Sequence, residues 1–175
     1  MRDQIIIRQA EAGDADGIAR IYNYAVLHLA ATAQETVQTA DERRAWLAEH
    51  AAQGLPVFVA VAGETIVGWS SLSRFHARSA YRHTVENSVY VHADWCGQGL
   101  GKRLLSPLIE EARTQGFHAI MAWLDGENAA SMALHAGFGF VEAGRFREVM
   151  RKFDRWMDVV VLELLLTDEQ AQPCE

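Results

Sequence analysis

Apolar positions along the chain change their period several times, and each change marks an element. Ile5 to Arg8 is a short apolar run that predicts a strand. Ile18, Ile21, Tyr22, Ala25, Val26 and Leu29 then recur at steps of three and one, which predicts an amphipathic helix with Asp14 as its cap. A second helix is expected from about Asp41 to Gln53, stopped by Gly54 and Pro56. Val57 to Ala62 and Thr65 to Leu72 flank Gly63-Glu64 and read as a hairpin, and Thr84 to Val91 reads as another strand. A third helix carries Leu100, Leu104, Leu105, Leu108, Ile109 and Ala112 on one face and ends before Gly116. Pro107 lies inside it, deletes a backbone bond and predicts a kink. His118 to Leu124 is the next strand, Asn128 to Ala136 a short helix stopped by Gly137, Phe138 to Gly144 the start of a further strand, and Val159 to Leu166 the last strand. Hairpins come first and strand–helix–strand units later. The expected fold is therefore α/β (α+β), a central mixed sheet flanked by helices.

Nothing in the composition disturbs that picture. The 175 residues are 50% hydrophobic and 22% charged, enough for one domain with a substantial core. The chain is read as a single domain over 1–175, with a short polar tail from about 167. A net charge of −7 without any basic run argues against a nucleic-acid or anionic-membrane partner. The two cysteines, Cys96 and Cys174, cannot form a framework of bridges, so a reducing compartment is expected. The N-terminus carries no signal-peptide pattern and no apolar run is long enough to span a membrane, which points to a soluble cytoplasmic protein.

The most informative segment is Val89 to Arg103, in which Gly97, Gly99 and Gly101 alternate between a strand end and a helix start. Such a turn lets backbone N–H groups converge on an anion while the helix N-terminus adds partial positive charge. Lys102 and Arg103 strengthen the field. The same glycines also suit a plain tight turn. A dinucleotide fingerprint fails, because Lys102 or Leu104 occupies its last glycine position. An NTP loop fails as well, since Cys96 replaces its first glycine and Arg103 its Ser/Thr.

The segment resembles the coenzyme A pyrophosphate loop, [RQ]-x-x-G-x-[GA], of the GNAT N-acetyltransferases, with Cys96 in the usual Arg or Gln position. Asn128-Ala129-Ala130-Ser131, Leu134-His135 and Gly137-Phe138-Gly139-Phe140 resemble the family's later motif, and Ile5-Ile6-Ile7-Arg8-Gln9-Ala10 its opening strand. The likeness spans roughly residues 5 to 166 in the family's order. It implies a mostly antiparallel GNAT sheet, acetyl-CoA as co-substrate and direct acetyl transfer. By that resemblance Val89, Tyr90 and Val91 pair with pantetheine through backbone groups. Gly97, Gln98, Gly99, Leu100, Gly101 and Lys102 cradle the pyrophosphate, Asn128 holds the pantetheine arm, and Ser131 lies near it.

Within the superfamily the chain is most similar to the phosphinothricin and methionine sulfoximine acetyltransferases. The segments that carry this likeness are Ile21 to Val26, Ala80 to Val91 and Lys152 to Val159. Asp154 replaces a glycine, Ser73-Arg74-Phe75-His76 stands where relatives carry a G-D-W-R-like loop, and Thr32-Ala33 replaces an apolar–aromatic pair. A homodimer is also implied. Amine acetylation needs a neutral nitrogen and a leaving thiolate, hence a base and an acid. By resemblance Glu86 is the base and His135 the acid. Taken alone, Glu86 also reads as a surface carboxylate, His135 as a surface or capping residue, and Tyr90 as a packing aromatic or a second donor. Phe75, Arg78, Tyr81, Arg82, His83 and Thr84 are candidates for holding a small anionic amine substrate, because arginine forks pair with carboxylates and phosphinates. Lys152 and Trp156 are candidates for closing the pocket. No histidine or cysteine spacing suggests a metal. Another acceptor (a polyamine, an aminoglycoside, a protein N-terminus) and a non-catalytic acyl-CoA-binding domain are the rival readings.

Overall fold

The computed structural model describes residues 4–166; the polar tail expected from about 167, with Cys174, lies outside them. In chain order the elements are β1 (Ile5–Gln9), α1 (Ala15–His28), α2 (Ala40–Ala52), β2 (Val57–Ala62), β3 (Thr65–Arg74), β4 (Thr84–Val91), α3 (Leu100–Thr114), β5 (Ala119–Asp125), α4 (Ala129–Ala136), β6 (Val141–Lys152) and β7 (Arg155–Leu165). The seven strands form one sheet ordered β1-β2-β3-β4-β5-β7-β6. Every neighbouring pair is antiparallel except β4 with β5, which α3 connects. Short loops give antiparallel neighbours, whereas a parallel pair needs a crossover long enough to hold a helix. The mostly antiparallel mixed sheet read from the sequence is the one observed.

Strand alternation sends side chains to opposite faces, and each face has its own core. On one face α1 lays Ile18, Ile21, Tyr22 and Val26 against Val57, Val59 and Trp69. Gly17 lets α1 come this close, since a Cβ there would sit 2.6 Å from the Ile66 side chain. Arg43 of α2 is buried in the same layer, its guanidinium 3.8 Å from the centre of the Tyr22 ring. On the other face all six apolar positions read on α3 are buried beneath the sheet. Pro107 removes the donor that would bond the Arg103 carbonyl, yet α3 continues through it, because packing of its apolar stripe outweighs one lost bond.

One helix start differs from expectation. Asp14 does not cap α1; its carboxylate accepts from the Arg8 guanidinium at 2.7 and 2.8 Å and from the Glu11 N–H at 2.8 Å, so it closes the turn before the helix. α2 starts at Ala40, as expected, and Thr39 caps it. Its hydroxyl accepts from the Glu42 N–H at 3.2 Å, and the Glu42 carboxylate accepts from the Thr39 N–H at 2.7 Å. The last hairpin is also longer than expected. β6 begins at Val141 rather than Phe138, and the turn at Phe153-Asp154 holds both residues in the left-handed region, at φ 53° and 57°. β6 is exposed along most of its length and interrupted by bulges, so it shows little of the apolar alternation that marks a strand.

Candidate active site

β4 and β5 pair only over Thr84 to Glu86 with Ala119 to Met121. Past Glu86 the two strands part, and a cleft of about 480 Å³ opens between Asn87–Val91 on one side and Trp123–Asp125 on the other. β4 keeps its ladder with β3 as far as Val91, so only its β5-facing backbone groups are left toward the cleft. A parted strand of this kind offers peptide groups to an extended amide-bearing ligand, by the same bonds that add a strand to a sheet edge. Val89, Tyr90 and Val91 line this wall, and Asn128, Ser131 and His135 line the α4 side.

The glycine turn closes one end. Gly97 and Gly99 adopt φ 73° and 75°, conformations a side chain would strain. Gly99 caps α3 without a side chain, and the first intrahelical bond runs from the Arg103 N–H to the Gly99 carbonyl. The N–H groups of Leu100, Gly101 and Lys102 therefore have no helical acceptor, and Gly97, Gly99, Leu100 and Gly101 line the cleft. A Cβ on Gly101 would lie 3.0 Å from Leu134, so this glycine lets α3 and α4 approach. Gln98 donates to the Asp94 carbonyl at 3.1 Å. Lys102 instead lines an open depression with Arg103 on the outer side of α3. Cys96 is exposed, with Sγ 3.6 Å from the His92 carbonyl oxygen, and offers no side-chain donor of the kind the resembled Arg or Gln position would carry. The turn thus fits a pyrophosphate mainly through backbone N–H groups.

Glu86 stands where the strands part. It is half-buried on the face of the sheet that also carries Tyr90, and burial holds its carboxyl above the usual glutamate range, the Trp123 side chain pulling weakly the other way. His135, 2% exposed, comes to the opposite face of β4 from α4. Its Nδ1 lies 2.8 Å from the Ser131 carbonyl oxygen, and its Nε2 lies 3.0 Å from Asn87 Nδ2. A carbonyl only accepts, so Nδ1 carries the proton and Nε2 accepts from Asn87. Burial also pushes the ring's pKa below its ordinary value, so it is neutral near pH 7. Asn87 was not singled out from the sequence; only its place beside Glu86 could have drawn attention to it. Tyr90 stacks on Trp69 at 4.6 Å and donates its hydroxyl to the Ala31 carbonyl at 3.1 Å, and burial raises its pKa, so it packs and fixes a loop.

The candidate substrate residues are not gathered in this cleft. Arg78, Tyr81, Arg82 and Thr84 surround a separate pocket of about 170 Å³ at the start of β4, with Arg74, His76 and Phe117. Phe75 packs edge-on against Tyr81, with ring centres 5.7 Å apart. Among the described residues none of Arg74, Arg78 and Arg82 is in an ion pair. Lys152 does not close a pocket. It is 3% exposed, and its ammonium donates to the carbonyls of Leu29 at 2.8 Å, Thr32 at 2.9 Å and Ala25 at 3.4 Å. It thereby ties the β6–β7 hairpin to the end of α1, where Leu29 and Ala31 form part of the cleft wall. Trp156 is 60% exposed on β7. The described residues contain no cluster of three or more histidine, cysteine, aspartate or glutamate side chains able to hold a metal, and no helix long and apolar enough to cross a membrane.

Comparison with known proteins agrees with this geometry. The family model described as an acetyltransferase (GNAT) domain matches residues 7–161. The L-amino acid N-acyltransferase MnaT of Escherichia coli strain K12 is 42% identical, over 95% of this chain and 96% of that protein. The L-methionine sulfoximine/L-methionine sulfone acetyltransferase of Salmonella typhimurium strain LT2 is 41% identical, over 95% of this chain and 97% of its own length. The crystal structure of a GNAT superfamily phosphinothricin acetyltransferase from Sinorhizobium meliloti in complex with acetyl-CoA superposes with a TM-score of 0.91 at 32% identity, covering 97% of this chain and 92% of that one. The parted strands, the glycine turn and these likenesses have one explanation: the chain belongs to the GNAT acetyltransferase family.

Proposed function

We propose that this N-acetyltransferase transfers acetyl from acetyl-CoA directly to the α-amino group of a small amino-acid analogue, of the methionine sulfoximine, methionine sulfone or phosphinothricin type. The observation that carries the reading is the cleft itself. A parted strand forms one wall, an open helix N-terminus closes one end, and a half-buried carboxylate stands where the strands part. When bound, acetyl-CoA supplies an activated thioester. The backbone of Val89, Tyr90 and Val91 holds its pantetheine arm, with Asn128 and Ser131 opposite. The backbone from Gly97 through Gln98, Gly99, Leu100 and Gly101 to Lys102 surrounds its pyrophosphate, with the Gln98 and Lys102 side chains turned elsewhere. Glu86 takes a proton from the acceptor ammonium, directly or through water, and its raised pKa makes it a stronger base than an exposed glutamate. His135 assists departure of the thiolate. Arg78, Tyr81, Arg82 and Thr84, with Phe75 against Tyr81, offer an anionic acceptor a docking point in the separate pocket at the start of β4, and Lys152 acts on the cleft through the end of α1 that it holds, with Trp156 exposed on the same hairpin.

The reading extends to one acetyltransferase domain working in the cytoplasm as a homodimer, with no metal, nucleic acid or membrane involved. Exposed Val141, Phe146 and Val149 on the edge strand β6 support the dimer. The test is thiol release from acetyl-CoA with methionine sulfoximine, methionine sulfone, phosphinothricin, spermidine and a short peptide. We expect the highest kcat/KM among the first three. A higher value for spermidine or the peptide would overturn the acceptor class and leave the acetyl-transfer chemistry standing.

A further inference from the structure

His135 sits in a polar environment that accounts for only one of its protonation states. Among the described residues no charged side chain faces the ring. β4 presents Asn87, α4 presents the Ser131 carbonyl, and the segment after α4 presents Phe140 edge-on with ring centres 5.0 Å apart. Glu86, next to Asn87 on β4, points to the other face of the sheet. The neutral ring is fully bonded, donating from Nδ1 and accepting at Nε2. A protonated ring in the same place would set an Nε2–H against the Nδ2–H of Asn87, donor against donor.

Asn87 contains the group that resolves this conflict. It is 7% exposed, and its Oδ1 is buried without a hydrogen-bond partner. An orphaned buried acceptor is costly, and native proteins rarely keep one without a reason. Turning the carboxamide over exchanges Nδ2 for Oδ1, so the idle acceptor arrives 3.0 Å from Nε2. The imidazolium then donates from both nitrogens, to Ser131 and to Asn87.

We propose that Asn87 is the proton gate of His135, a positioning residue whose carboxamide donates to the neutral ring and, turned over, accepts from the protonated one. The inference rests on the reading of His135 as the group that serves the departing thiolate. The proton balance then closes. As the new C–N bond forms and the C–S bond breaks, the acceptor ammonium gives up two protons in all. Both leave to solvent by way of Glu86, while sulfur takes its proton from the protonated His135 Nε2, which gives up its bond to Asn87 Oδ1 as it does so and regains a proton from solvent, for a net release of one proton. Each time Nε2 loses its proton, the Asn87 amide turns back to donate.

The experiment follows the histidine ring signals of protein labelled with ¹⁵N-histidine by long-range ¹H–¹⁵N NMR, with His135→Gln assigning the resonance, alongside kcat as a function of pH. The wild type should show a neutral Nδ1–H ring at pH 7. Asn87→Asp supplies a permanent acceptor and should move the His135 midpoint up by a pH unit or more. Asn87→Leu removes both positions of the gate and should move the midpoint down, with the matching limb of kcat following. Asn87→Ser, which is smaller, serves if the leucine variant does not fold. An Nε2–H ring in the wild type, or an unchanged midpoint in both the aspartate and the leucine or serine variants, overturns the gate. Midpoints that move while the kcat profile stays still overturn the acid role of His135 instead, and with it the gate's part in catalysis.

Discussion

A single side chain acts here according to what surrounds it, and Glu86 and Lys152 show the two extremes. Burial holds the Glu86 carboxyl above its ordinary range, so its basic form is reached at a higher pH than for an exposed glutamate. In the wild type kcat should therefore rise with pH through that raised value. Glu86→Gln keeps size and polarity but cannot take a proton. We expect kcat to fall by roughly 10²–10⁴-fold, the range for general acid–base groups, with acetyl-CoA affinity nearly unchanged. The deficit should shrink at high pH, where more acceptor arrives neutral. A Glu86→Gln enzyme with wild-type kcat and pH profile would mark the carboxylate as structural. Lys152 is a buried cation satisfied by three backbone carbonyls. Lys152→Met removes those donors and leaves carbonyls at the end of α1 unpaired, which should cost about 2–4 kcal/mol by denaturant unfolding. Because the loss loosens one wall of the cleft, the acceptor KM should rise more than the acetyl-CoA KM. Equal rises would assign Lys152 to the whole cleft and not to its acceptor end.

At the scale of elements, two turns decide how well the strands and helices meet. The glycine turn before α3 works because Gly99 occupies left-handed backbone beside open N–H groups. A Cβ there meets no neighbour in the free protein, so Gly99→Val should fold, with strain as its main cost. Its branched side chain stands where backbone must come close to the pyrophosphate, and calorimetric acetyl-CoA affinity should fall at least tenfold. Unchanged affinity in a folded Gly99→Val protein would remove the turn from the cofactor site. The Phe153-Asp154 turn places two non-glycine residues at positive φ. Asp154→Gly relieves one of them and should raise stability by about 0.5–1 kcal/mol, as glycine does in left-handed turn positions. A lower melting temperature would show that the Asp154 contact with Arg151, at 3.2 Å, outweighs the strain.

Across the whole molecule, the sheet ends on one side in an exposed apolar edge strand. β6 ends the strand order and carries Val141, Phe146 and Val149 exposed, with Phe146 stacked on Trp123 at 6.0 Å. Exposed apolar edge strands of this length are covered in most native proteins. Light scattering after size exclusion should give twice the chain mass, and Phe146→Glu with Val149→Glu should shift the protein to monomer. A monomeric wild type at micromolar concentration would leave β6 as a free edge.

Local patterning determines most of the architecture. The stripes of α1 and α3, the β2–β3 hairpin and the glycine turn follow from side-chain periodicity and from backbone that only glycine adopts cheaply, and these are properties of neighbours in sequence. The ordered motifs likewise pointed to the family, because their residue types and spacings survive in the linear chain. Tertiary structure decided what depends on distant partners. Asp14 became the partner of Arg8 and not a helix cap, and β6 became a strand although its exposed, charged positions follow no apolar alternation, since pairing with β7 supplies its bonds. Lys152 reads as one more surface cation until α1 is folded against the hairpin. Asn87 and His135 lie 48 positions apart, and only the packing of α4 on the sheet brings an amide and an imidazole to 3.0 Å. The cleft has the same origin: β4 and β5 stop pairing after Glu86, and where two separate strands part is fixed by how the whole sheet packs.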